Sequence, residues 1–113
     1  NFGPVGTGNV DVQGIVELVI AAWGSGNWQT VESKNDRMHE ASCLKLDVTK
    51  ANSLLAWRPV FSVSEAVFDT IAWYKAFYDK SENMLAFTLN QIHEYTYRAG
   101  KKGLAWAYSG ECL

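Results

Sequence analysis

A chain of 113 residues has room for one domain near the common domain size. Hydrophobic residues make up 48% of it, enough for a core, and five tryptophans are many for this length. A net charge of −2 gives no electrostatic case for nucleic acid or an anionic membrane surface. No apolar run approaches the roughly 18 residues of a membrane span, and the start is not a basic signal peptide.

The opening Asn1 to Gly8 (NFGPVGTG) is glycine-rich. A phosphate-binding loop needs G-x-x-x-x-G-K-[ST], and the lysine is missing. The favoured reading is a strand end turning into a helix. Asn9 or Asp11 then caps a helix over 11–23. Gln13 and Glu17 share one narrow polar strip, while Ile15, Val16, Leu18, Val19, Ile20 and Trp23 cover most of the rest. A helix apolar nearly all round needs a deep core or a partner surface. Gly24-Ser25-Gly26 ends it.

Trp28 to Glu32 (WQTVE) alternates as a short strand does, and Ser33 to Met38 is a polar connection. Arg37, His39 and Glu40 form a small polar cluster, a place to hold an anion. A histidine beside a carboxylate also invites proton transfer or a metal. No second His or Cys stands at ligand spacing, and His93 is far along the chain, so neither reading is favoured. Cys43 to Asp47 (CLKLD) alternates again, predicting a strand near 43–46. Asp47 is the expected N-cap of a helix near 48–57, with Val48, Ala51, Leu54 and Leu55 on one face. Pro59 prevents continuation. The cysteines Cys43 and Cys112 are far apart, and without a secretory signal they are expected as reduced thiols in the cytoplasm.

Ser62-Val63-Ser64-Glu65 has capping-box spacing and starts a helix over 63–79. Val63, Val67, Thr70, Ile71, Tyr74 and Tyr78, widened by Trp73 and Phe77, form an aromatic-rich face expected to be core. Without interleaved basic residues it is no stacking platform for bases. Asp79 to Asn83 reads as a turn. Thr88 to Gln91 repeats the capping-box spacing and predicts a last helix over 88–98, broken by Gly100 to Gly103. The final LAWAYSGECL has no recognisable counterpart and is expected to be a lineage-specific ending or a read-through tail.

The run HEASCLKLDVTKANSLLAWRP (His39–Pro59), followed by TIAWYK on the 63–79 helix, resembles the carboxy-terminal region of the extended short-chain dehydrogenase/reductase family of sugar-nucleotide enzymes. Within that family the HEA…LKLD form and the opening Asn1-Phe2-Gly3-Pro4 most resemble dehydratases acting on CDP-hexoses. The resemblance covers residues 1–99 and leaves 100–113 as a tail of unknown role. It implies an α-rich α/β fold, helices with short strands, forming the sugar-nucleotide-binding portion of such an enzyme with the Rossmann core missing. A chain beginning without Met fits a piece of a longer protein.

The resemblance further implies a CDP-sugar as the ligand and NAD as the cofactor, held by a missing amino-terminal domain rather than by this chain. Arg37 would grip the diphosphate; a guanidinium fork matches phosphate oxygens two at a time. Glu40 would accept a ribose hydroxyl or fix Arg37, with His39 beside it and Trp28 on the nucleotide side. No catalytic residue is expected here. Tyr74 and Lys75 are adjacent, whereas the family's Tyr-x-x-x-Lys pair must meet across one helical turn. In the whole enzyme NAD would oxidise C4 of the hexose, water would leave C6, and the hydride would return there. One departure is Leu55-Ala56-Trp57 where the family has Leu-Gly-Trp; a left-handed Ala56 would cost about 1 kcal/mol. The rival expectation is a stand-alone binding or oligomerisation module without enzyme activity.

Overall fold

The computed structural model describes residues 1–4, 10–29, 46–80 and 83–107. They form four α-helices: α1 (Val12–Trp23), α2 (Thr49–Leu55), α3 (Val63–Asp79) and α4 (Met84–Lys101), followed by a 3-10 turn at Ala105–Ala107. Among the described residues there is no strand, which corrects the α/β expectation for this part of the chain. Trp28, Gln29 and Leu46 belong to neither helix nor strand. Alternation alone does not make a strand; a ladder of hydrogen bonds to a neighbour is needed. The rest of both expected strands, 30–32 and 43–45, lies outside the described residues.

Helix α1 begins where Asp11 accepts a hydrogen bond from the Gly14 N–H at 2.8 Å. It ends at Gly24, whose φ of 91° is open to glycine and whose N–H returns to the Ile20 carbonyl at 2.9 Å. The Asp47 carboxylate accepts from the Thr49 N–H at 2.8 Å, as expected of it, but Val48 takes the N-cap position of α2. At the other end Ala56 is left-handed, φ 49° and ψ 26°, and both its N–H and that of Trp57 turn back to the Ala51 carbonyl.

The boundaries of α3 match the expected ones, and both arms of its capping box are made. The start of α4 does not match. Asn83 is the cap, accepting from the N–H groups of Leu85 and Ala86 at 3.0 and 3.3 Å. Thr88 lies one turn inside the helix with its hydroxyl donating to the Met84 carbonyl at 2.8 Å. Its spacing to Gln91 imitates a box, but a threonine already held by the preceding turn cannot cap the next one. Gly100 sits within α4, and the break comes at Gly103, where φ is 75°.

Helix α3 packs against α1 on one side and α4 on another, with the 3-10 turn folded onto α4. Among the described residues the buried apolar ones are Ala51, Val60, Ala76 and Ala99, and Val60, 1% exposed, is the largest side chain fully removed from water. Small residues thus occupy the close contacts while large ones stay outside. Leu54, Tyr78 and Leu85 are 70%, 64% and 70% exposed. The face of α3 expected to be core is only partly covered: Val63, Val67, Ile71 and Trp73 are half-buried, while Tyr74, Phe77 and Tyr78 are exposed, contrary to expectation. Its rings pack mainly on one another, Trp73 stacking on Phe77 at 5.4 Å, with Trp23 of α1 edge-on to Tyr78 at 6.3 Å. Helix α1 buries none of its residues; Val16 and Ile20 are only half-buried.

Candidate functional site

An apolar groove of about 460 Å³ lies between α1, α3, the opening Gly3-Pro4 and the chain that links α2 to α3. That link follows from local chemistry. The left-handed Ala56 reverses the chain, Pro59 keeps it extended, and Val60 anchors it. Trp57 stands edge-on to Phe2 at 5.1 Å between ring centres. Val19, Val67 and Ile71 form the groove's helical walls, and among the described residues no charged side chain lines it. Two of its hydroxyls are engaged: Thr70 donates to the Ala66 carbonyl at 2.7 Å and Ser62 to Glu65 at 2.8 Å; Tyr95 also lines it. Such a surface can bury apolar groups; it offers neither acid nor base.

A smaller cleft of about 400 Å³ lies between α3 and α4, lined by Phe61, Asp69, Trp73, Tyr74 and Gln91 among others. Its polar groups mostly serve packing. Gln91 Nε2 donates to the Asp69 carbonyl at 2.8 Å, and the Trp73 indole N–H donates to Thr88 Oγ1 at 2.9 Å. Beside it Arg98 reaches Glu65 at 3.1 Å and Glu94 at 2.7 Å, with its guanidinium 5.2 Å from the centre of the Phe61 ring. Hydrogen bonds from the Ser62 backbone and side chain hold the Glu65 carboxyl below its ordinary value, with smaller help from Arg98 and Lys102. A guanidinium committed to two carboxylates is a poor receptor for an outside phosphate. In the sequence the capping-box spacing of Ser62 and Glu65 and the i,i+4 spacing of Glu94 and Arg98 each mark part of this cluster.

Of the residues expected to bind substrate, Arg37, His39 and Glu40 lie outside the described residues. Trp28 is described and stands 39% exposed. It follows Gly26, whose φ of 135° carries the chain past Ile20 after α1 ends. His93 is exposed on α4. Among the described residues no three His, Cys, Asp or Glu side chains gather where they could hold a metal ion, and no helix is long and apolar enough to cross a membrane.

No family model matches the chain, and no solved structure does. A curated protein matches: the CDP-glucose 4,6-dehydratase of Salmonella typhimurium is 34% identical over 95 residues, 84% of this chain. The match takes in 26% of the dehydratase, so the chain spans about a quarter of that protein's length. Over most of its length this chain is therefore homologous to one part of a CDP-glucose 4,6-dehydratase.

Proposed function

We propose that the chain is the sugar-nucleotide-binding part of a CDP-glucose 4,6-dehydratase-like enzyme and has no activity by itself. The observation that carries this is the 34% identity over 84% of the chain, which agrees with the resemblance of the His39–Pro59 run. In this reading the chain forms the wall of the cleft that receives CDP-glucose. Arg37 pairs with the diphosphate, Glu40 and His39 meet the nucleotide nearby, and Trp28 flanks it. NAD, the hydride carrier of the dehydratase family, sits on the portion of the enzyme outside these 113 residues. The product, CDP-4-dehydro-6-deoxyglucose, serves the making of dideoxyhexoses for bacterial surface polysaccharide. The many exposed apolar side chains of α1, α3 and α4 support a chain that is completed by neighbouring structure.

Calorimetric titration of CDP-glucose tests the reading. In the complete enzyme Arg37→Ala should weaken binding by about 1.5–3 kcal/mol, the scale of a charge-assisted hydrogen bond. NAD affinity should stay the same. The 113-residue chain alone should bind CDP-glucose weakly or not at all, because half a cleft leaves the arginine screened by solvent. Tight binding to the isolated chain, or an unchanged affinity in the Arg37→Ala enzyme, would overturn the assignment.

A further inference from the structure

We propose that the cleft between α3 and α4 binds a small methylated ammonium ion, its charge against the Asp69 carboxylate and its methyl groups in the corner made by Trp73 and Tyr74. The donors of this cleft are already spent. Gln91 Nε2 serves the Asp69 carbonyl, the Trp73 indole N–H serves Thr88, and the Thr70 hydroxyl serves the Ala66 carbonyl. What remains is mostly acceptor: the Gln91 side-chain oxygen, the Tyr74 hydroxyl and the Asp69 carboxylate, which accepts no hydrogen bond among the described residues. An anion finds no donor set there.

The rings suit a cation. Trp73 and Tyr74 stand at 86° to each other with centres 5.4 Å apart, two walls at a right angle. Phe77 stacks on Trp73 and Tyr78 on Tyr74, so both walls are braced. A methylated ammonium ion is drawn to ring faces by their negative π clouds. Phe61, also on the lining, already carries Arg98 at 5.2 Å. That guanidinium does not neutralise Asp69, because Glu94 holds it first, Glu65 next and Asp69 least. Setting Arg98 and Lys102 against Asp69, Glu65 and Glu94 leaves the surroundings net negative. A neutral guest of the same shape would strip water from the carboxylate without replacing it. A metal ion is no better suited, since a single half-buried carboxylate is not a ligand set.

The site owes nothing to the CDP-glucose reading, and the 113-residue chain is tested directly. Choline and its uncharged carbon isostere, dimethylbutanol, are titrated while NMR follows the indole N–H signals of the five tryptophans. The Trp73 signal is assigned by its displacement in Thr88→Val, which removes its acceptor. Choline should move that signal saturably and more than the others, and should bind at least about tenfold more tightly than dimethylbutanol. Asp69→Asn should weaken choline about tenfold and leave dimethylbutanol unchanged. Tyr74→Leu, which keeps apolar bulk but loses the ring, should weaken choline about two- to fivefold. Equal affinity for the two probes, parental choline binding in Asp69→Asn, no saturable choline shift, or shifts confined to another tryptophan would each overturn the proposal. If Asp69→Asn lowers helix content, sodium chloride added to the parent decides. Choline binding should then fall with salt while dimethylbutanol binding does not; choline binding that ignores salt overturns the proposal.

Discussion

Ala56 is the alanine that ends α2 in the left-handed region, φ 49° and ψ 26°. An L-residue there brings its Cβ against the following carbonyl oxygen, a cost of about 1–2 kcal/mol. Glycine removes that cost but gives the unfolded chain more freedom, worth about 0.5–1 kcal/mol in the other direction. Ala56→Gly should therefore raise stability by about 0.5–1 kcal/mol, since the bonds from residues 56 and 57 to the Ala51 carbonyl involve backbone alone. For a domain of this size the midpoint of a thermal melt should move up by roughly 2–8 °C. Urea melts followed by circular dichroism give the free energy directly. Ala56→Val is the companion variant: a β-branched side chain at positive φ should destabilise. A glycine variant no more stable than the parent, beside a harmless valine, would refute the strained turn.

Ser62→Ala removes one arm of the α3 capping box and should cost about 1 kcal/mol in urea melts; in NMR titration the Glu65 carboxyl should move up towards its ordinary value of 4.5. Hydrogen bonds from Ser62 depress Glu65, and those from Thr49 depress Asp47, whose ordinary value is 3.8. Stability from both is full above those values and is lost as pH falls through the lower folded ones, so acid unfolding should steepen below about pH 4.5 and flatten in Glu65→Gln. Thr88→Val takes the acceptor from the half-buried Trp73 indole and should cost about 1–3 kcal/mol, with a change in tryptophan emission. Asn83→Ala frees the Leu85 and Ala86 N–H groups and should cost about 1 kcal/mol of stability, read as helix content on heating.

Local rules carried the helices well. Asp11 and Gly24 bracket α1 and Ser62 and Glu65 start α3, whereas the left-handed Ala56 is expected from the resemblance, as an alanine where the family has glycine. They failed where two local signals compete. Asn83 and Thr88 both have capping chemistry, and the winner is the one whose side chain finds free N–H groups, which spacing alone does not reveal. They failed again where the answer depends on distant packing. The alternating residues Trp28, Gln29 and Leu46 needed a partner strand, and the stripe from Tyr74 to Tyr78 needed a covering layer; periodicity names the face but not its neighbour. Arg37, His39 and Glu40 are singled out for a nucleotide through resemblance, because a lone arginine, histidine and glutamate carry no spacing that specifies one, and they lie outside the described residues.

The segment after position 99 behaves as a clasp. Ala99 is completely buried, the Leu104 N–H donates to its carbonyl at 3.1 Å, and Trp106 stacks on Tyr95. The Lys102 ammonium crosses to the Val60 carbonyl, joining the end of α4 to the link that enters α3. Trimming the chain at 99 would thus remove one of the ties between the end of α4 and the start of α3, leaving the Arg98–Glu65 pair. It would bare the most deeply buried alanine and leave the Val60 carbonyl to water. A protease that nicks between Gly103 and Leu104 would part Leu104 from the Ala99 carbonyl and Trp106 from Tyr95 while Lys102 stays with Val60, so resistance to digestion there measures how firmly the 3-10 turn is held on α4.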